Sequence, residues 1–339
     1  MINPARYLRG VLHPEGYHGT GKGNGFFEGW YVKLVSADLS QRWAVIPGIF
    51  KGIDTADSQE RVSNHEAFIQ VLDGSTGRSW FYSFPSVEFY AAEDKFDIQI
   101  GNNSFNEKEV ILDLPQLKGK ISITSEFKPW PVSFSSPGIM GWYGFVPFME
   151  CFHGIVSFGH SLNGKLEIEG KAFDFQNGKG YIETDWGKAF PSGYIWMQSN
   201  HFNFNSETSL IASAAIIPWL GRSFRGFIVG LHHDGKLYKW TTYNSAKEIN
   251  LDVTDTEVIW SLFGPDGTLS IRAKRVRGGL LHAPLTKDMH RRVEETMDSQ
   301  IQLKFTDSNN KLVCEGRGAA AALEVFGDLD KLLSFGGNK

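Results

Sequence analysis

The sequence predicts an all-β protein of two antiparallel barrel or sandwich domains with few short helices. Three observations carry this: apolar residues alternate with polar ones, hairpin dipeptides separate the alternating runs, and aromatic residues and glycine are abundant. In residues 119–127, Ile121 and Ile123 are separated by Ser122. In residues 164–175, Leu166 and Ile168 alternate with Glu167 and Glu169 before Phe173 and Phe175 flank Asp174. Phe227, Val229 and Leu231 repeat the pattern, as do Leu269 with Ile271, and Ile301 with Leu303 and Phe305. A strand turns successive side chains to opposite sides, so each run reads as a strand with one buried face. Asp73-Gly74, Asn163-Gly164, Asn177-Gly178, Asp234-Gly235, Asp266-Gly267 and Asn309-Asn310 mark turns, because Asn, Asp and Gly suit tight hairpins. The 26 Phe, 10 Trp, 10 Tyr and 37 Gly favour strands and tight turns over helices.

A chain of 339 residues exceeds one ordinary domain, so two are expected. The junction is placed where Asn177-Gly178 and Gly180 interrupt the pattern, giving domains at 1–175 and 176–339. Short helices are expected over 288–296, with Met289, Val293 and Thr296 on one side, and over 328–333. The 34 basic and 38 acidic residues leave a net charge of −4, which argues against a nucleic-acid-binding face. Cys151 and Cys314 lie far apart and read as reduced, buried thiols. The N-terminus has neither the apolar core of a signal peptide nor the Ser/Arg-rich pattern of a transit peptide. No apolar run approaches the roughly 18 residues of a membrane span, so a cytoplasmic protein is expected. The stretch 138–148 is too short and too broken by Gly and Pro to span a bilayer. It reads either as a buried loop or as a pocket-mouth loop meeting a membrane surface through Trp142 and Tyr143.

Chemistry-bearing residues concentrate in four stretches: 13–31, 137–154, 180–201 and 281–284. Glu28 sits among the rings of FFEGWY, and Glu183 and Asp185 lie between Tyr181 and Trp186. Rings that exclude water disfavour a charged carboxylate, and a carboxylic acid held neutral is a proton donor. The alternative is that these acids point outward or pair with Lys33 or Lys188. Alternation puts Glu183 and Asp185 on one face and Thr184 on the other. The histidines match no HExxH, His-x-His or Cys/His spacing, so no metal site is expected. There is no Gly-x-Ser-x-Gly elbow. The GTGKGNG run at 19–25 does not follow a strand in the dinucleotide pattern and reads as a loop; no cofactor is expected.

HPEGYHG followed by FFEGWY resembles the N-terminal signature of tocopherol cyclases. The similarity resumes at GKLEIEGKAFDF, GYIETDWGKAFPSGYIWMQSNHF, HHDGKLYKW and LLHAPLTKDM, and ends at GRGAAAALEVFG. These blocks keep their order over residues 10–327, nearly the whole chain. The resemblance implies two lipocalin-like β-barrel domains, an architecture shared with carotenoid hydratases, and cyclisation of a prenylated hydroquinone to a chromanol. The chain departs from the family in lacking its longer first-half insertions, and in carrying Thr184-Asp185 where Lys-Asn is usual.

Such a cyclisation needs a proton delivered to a trisubstituted alkene and capture of the tertiary cation by the phenol oxygen. A neutral carboxylic acid suits the first step. Aromatic faces stabilise the cation, exclusion of water protects it, and folding of the prenyl chain brings the oxygen to it. No metal or redox cofactor is required. The candidate acids are Asp185 and Glu183, with Glu28 competing. Trp30, Tyr31 and Trp186 are expected to line the site, and His18, His153, Asn200 or His201 to hold the quinol head. The expected partner is thus a prenylated quinol or related isoprenoid. Rival readings are a hydratase, a lipid carrier that binds without reacting, and a glycan-directed protein; the last is disfavoured by the scarcity of Asn, Arg and Asp in the aromatic segments.

Overall fold

Nearly every alternating run folds as a strand in the computed structural model, which describes residues 3–23, 25–52, 65–285, 289 and 291–335. The strands form two antiparallel sheets, in keeping with the all-β expectation. The first runs, edge to edge, through Ser79–Pro85, His65–Asp73, Arg42–Lys51, Phe26–Val35, Gly178–Gly187, Cys151–Ile168, Leu117–Ile123, Glu109–Asp113, Asn103–Asn106, Asp97–Ile100 and Phe89–Ala91. Trp30 stacks on Phe89 at 6.4 Å although their strands are not neighbours, so the sheet curls round its own core. That core holds Trp30, Val32, Leu34, Val45, Ile69, Phe105 and Ile182.

The second sheet runs from Lys236–Thr241 through Arg222–His233, Ser209–Trp219, Gly193–Ser199, Leu312–Gly327, Arg291–Thr306, Gly267–Lys274 and Glu257–Gly264 to Lys247–Val253. It encloses a separate core that includes Met197, Leu231, Trp240, Trp260, Leu303 and Phe305.

The chain divides into two compact units: Met1–Asp73, Ser79–Phe190 and Leu281–Arg292 form one, and Gly74–Arg78, Pro191–Leu280 and Val293–Lys339 form the other. The main division therefore follows Phe190 rather than residue 175. Strand Gly178–Gly187 is hydrogen-bonded between Phe26–Val35 and Cys151–Ile168, deep in the first sheet, and Asn177-Gly178 is a hairpin turn within that unit.

Three local expectations differ from the structure. Asp288 lies outside the described residues, but from Arg291 the segment read as a helix is a strand, with Glu295 opposite Glu324 and Thr296 opposite Leu323. Cross-strand pairing overrides the weak helical spacing there. Asn163-Gly164 is not a turn; it lies inside the long Cys151–Ile168 strand, opposite Ser122 and Ile121. An unanticipated helix, Pro4–Leu12, begins where Asn3 accepts hydrogen bonds from the backbone N–H groups of Ala5 (3.1 Å) and Arg6 (3.2 Å). An Asn cap followed by Pro was its readable signal. The expected C-terminal helix is present as Leu329–Ser334, capped by Asp328.

One glycine pair shapes the surface that carries the site. Gly29 and Gly48 face each other across two strands, and the Phe68 ring lies over them. A methyl group on Gly48 would meet that ring and the Glu28 carbonyl. Gly48→Ala is therefore expected to cost about 1–3 kcal/mol in denaturant unfolding. An unchanged midpoint would show that Phe68 has room to move.

Candidate active site

The three central strands of the first sheet sort the candidate residues by face. Directly paired residues of an antiparallel ladder project to the same side. Glu28 is opposite Trp186, Trp30 opposite Thr184 and Val32 opposite Ile182; this side belongs to the core. Gly29 is opposite Asp185, Tyr31 opposite Glu183 and Lys33 opposite Tyr181, and His153 is opposite Asp185 from the other neighbour. The acids named from the sequence thus separate into two clusters on opposite faces.

The core-side cluster is closed. Glu28 is fully buried, and its Oε2 accepts the His18 backbone N–H at 2.8 Å while Oε1 lies 2.7 Å from His18 Nδ1. His18 Nε2 donates to the carbonyl of Gly10 at 3.0 Å, because a carbonyl can only accept. One further proton is therefore shared between Nδ1 and Oε1. The His18 ring stacks on Trp186 at 3.7 Å, and Trp186 stacks on Phe152 at 5.5 Å. Trp30 donates from Nε1 to the Glu15 carbonyl at 3.2 Å. Burial, then the Glu28 charge, pushes the Tyr17 phenol well up, so it stays protonated. These contacts fasten residues 10–18 onto the sheet.

The opposite cluster is a linear array. Tyr181 donates its hydroxyl to Glu183 Oε2, Glu183 Oε2 lies 3.6 Å from His153 Nε2, and His153 Nδ1 lies 2.8 Å from Asp185 Oδ1. Exposure rises outward along it, from 4% for the Glu183 side chain to 14% for His153 and 26% for Asp185. Burial alone would push the His153 pKa down. The charges of Asp185 and Glu183 and the bond to Asp185 override it and raise the value to about 9, so His153 is an imidazolium at neutral pH. Burial raises the Tyr181 phenol and the Cys151 thiol well above their ordinary values, reinforced by Glu183 and Asp185 respectively, so both keep their protons.

Apolar residues surround the polar array on this face. Phe27, Phe50, Phe68 and Met289 form a buried cluster, with Ile46, Phe81, Cys151 and Phe190 packed against it. The register places Phe27, Phe50, Phe68 and Phe81 on the side that carries Tyr31 and Asp185. Gln70 and His282 exchange reciprocal hydrogen bonds of 2.7 and 2.9 Å, tying residues 281–284 to this surface beside Phe81.

Of the residues named from the sequence, Glu183, Asp185, His153 and Tyr31 share this face. Glu28, His18, Trp30 and Trp186 occupy the core face, and Asn200 and His201 belong to the second unit. Lys33, weighed as a partner for the acids, is fully buried on the Glu183 side. Phe50, Phe68, Phe81 and Gln70 were not singled out; they lie in near-continuous apolar runs at 43–50, 67–72 and 80–84, where no alternation shows which side chains share a face. One atom each from His153, Glu183 and Asp185 lies within 4.8 Å of the others, a grouping able to hold a metal ion that sequence spacing concealed. The imidazole turns a different nitrogen toward each carboxylate, which is the arrangement of a proton-sharing array.

Among the described residues, no helix is long and apolar enough to cross a membrane. Solved structures sharing the fold include a candidate AttH from Nitrosomonas europaea (TM-score 0.52, 11% identity, 92% of this chain and 95% of that one). Kievitone hydratase from Nectria haematococca scores 0.50 at 11% identity, covering 91% and 90%. CghA, solved with Sch210972, scores 0.53 at 11% identity, covering 89% of each chain. Relatives by sequence include "Tocopherol cyclase, chloroplastic" of Zea mays, 21% identical across 96% of this chain and 80% of that protein. "Probable tocopherol cyclase, chloroplastic" of Oryza sativa subsp. japonica is 23% identical across 92% and 78%. The tocopherol cyclase-like family model matches residues 118–327, a span that holds the strands of His153, Glu183 and Asp185, and the chain belongs to that family.

Proposed function

We propose that the protein closes a prenylated hydroquinone to a chromanol on the face bearing His153, Glu183 and Asp185, with Asp185 as the acid. The observation that carries this reading is the His153–Asp185 contact: a carboxylate held 2.8 Å from a buried imidazolium, on a face shared with Phe27, Phe50 and Phe68. The His153 imidazolium passes its Nδ1 proton to Asp185 Oδ1, 2.8 Å away, and Asp185 delivers it to the less substituted carbon of a trisubstituted alkene; the π pair becomes the new C–H bond, and the pair is left as a carboxylate and a neutral imidazole. The phenol oxygen attacks the tertiary cation, and its proton returns through the Asp185 carboxylate to His153, so the reaction is an isomerisation with no net change of redox state. His153 stores the proton, because, despite its burial, the charges of Asp185 and Glu183 keep the imidazole protonated at neutral pH. The phenylalanine faces stabilise the cation, and their exclusion of water directs it to the internal oxygen. Glu28 is set aside because His18 occupies both of its oxygens. Family membership supports the chemistry.

Incubating the protein anaerobically with a prenylated hydroquinone, with products read by mass spectrometry, tests this directly. A chromanol of unchanged mass is expected. A tertiary alcohol heavier by one water would instead indicate hydration, and unchanged substrate recovered in complex would indicate a carrier. Asp185→Asn is expected to lower the rate by at least about 100-fold, the usual scale for losing a general acid. Full activity in that variant removes Asp185 from the role.

The pH dependence follows from His153. Its folded pKa is raised from 6.5 to about 9, so the stability it contributes is complete below pH 6.5 and is lost as pH rises through about 9. Both unfolding free energy and cyclisation rate are expected to decline across that window, and His153→Gln is expected to flatten the decline in both. A wild-type profile level to pH 10 would contradict the assigned charge.

A further inference from the structure

We propose that Gly29 is a specificity-determining position: its bare backbone forms a notch beside Asp185 that takes the methyl branch of a trisubstituted alkene. This rests on the His153 face being the one that meets substrate, as proposed for the function. In the strand Phe26–Val35 every residue is buried except Gly29, which is half-buried. It stands directly opposite Asp185, whose side chain is also partly open. Ile46 beside Gly29 and His153 beside Asp185 extend the accessible patch to either side. Around them Phe27, Tyr31, Phe68 and Glu183 are buried. The opening in this face therefore lies over Gly29 and Asp185.

The fold itself does not require glycine here. Glycine weakens a strand interior, and a strand keeps one where backbone conformation, tight packing or an approaching ligand calls for it. Gly29 lies outside the left-handed region, so conformation makes no such demand. A methyl group built on it would lie 3.6 Å from Ile46 Cγ2, 3.7 Å from the Pro47 carbonyl oxygen and 3.9 Å from Phe68 Cζ, all ordinary contacts. Gly48, across the ladder, differs: a methyl group there would run into the Phe68 ring and the Glu28 carbonyl. Packing holds Gly48 to glycine, whereas Gly29 leaves room for an incoming group. The reaction identifies that group. When Asp185 delivers a proton to the less substituted alkene carbon, the methyl branch sits on the next carbon of the double bond. Neighbouring strands are about 4.8 Å apart, so the space over Gly29 lies at the distance from Asp185 that the branch needs. Ile46 and Phe68, which border it, offer apolar contact suited to a methyl group.

Calorimetric titration with two quinol analogues of saturated chain, one carrying the methyl branch and one unbranched at that carbon, tests the proposal, since neither can turn over. The wild-type protein is expected to bind the branched analogue at least about tenfold more tightly, the scale of one methyl group in a fitted apolar pocket. Gly29→Ala is expected to bind the branched analogue at least about tenfold more weakly than the wild type does, and the unbranched one within about threefold of it. The thermal midpoint of Gly29→Ala should equal or exceed that of the wild type, because alanine fits without strain and restricts the unfolded chain. A branched preference that persists in Gly29→Ala overturns the proposal, as does equal binding of the two analogues by the wild type. A preference that Gly29→Ala abolishes, in a wild-type protein that forms no chromanol from the unsaturated quinol, overturns the assigned reaction and upholds the role of Gly29.

Discussion

Side chains one position apart on a strand look to opposite sides, and in the first sheet this rule partitions charge. Because Phe26–Val35 and Cys151–Ile168 both pair in register with Gly178–Gly187, Glu28 and Trp186 must share the core face, and Glu183, Asp185 and His153 must share the other. A slip of one residue would drive Asp185 into the core and expose Trp186. The buried apolar side chains Trp30, Val32 and Ile182 oppose that slip. The register that holds the core together is therefore also what assembles the acid array.

The two clusters use similar residue types for different ends. Glu28 and His18 are buried and fully engaged, with every polar atom turned to a partner in residues 10–28, and Trp186 covers the imidazole. Such a closed pair fastens chain. The array on the other face keeps its outer member, Asp185, partly open, with an imidazolium behind it and a carboxylate and a phenol deeper still. That gradient of exposure is what a group needs if it is to meet a substrate and be reprotonated afterwards. The surrounding phenylalanines supply apolar area and π faces without adding competing hydrogen-bond donors.

Much of this was legible in advance. Alternation and turn dipeptides gave the strands, and the same rule of two placed Glu183 and Asp185 together. What stayed hidden was non-local. His153 meets Asp185, 32 residues away, only because their strands pair, and no spacing along the chain encodes that contact. Trp186 adjoins Asp185 in sequence, and adjacency on a strand puts it on the opposite face, whereas Trp30 lies two residues from Glu28 and shares the core face with it. Asn200 and His201 belong to the second unit, whereas the strand Gly178–Gly187, taken from the sequence to open the second domain, sits at the centre of the first sheet. The 288–296 helix failed for the same kind of reason, since a β ladder outweighed a short helical spacing.

The account stands on substrate meeting the His153 face and not the His18 face. Protein labelled with ¹³C-histidine and titrated with a quinol analogue whose prenyl chain is saturated, and so cannot cyclise, distinguishes the two. The His153 resonance should move on binding while that of His18 stays fixed. Movement at His18 with His153 unaffected would place the ligand in the barrel core and contradict the account.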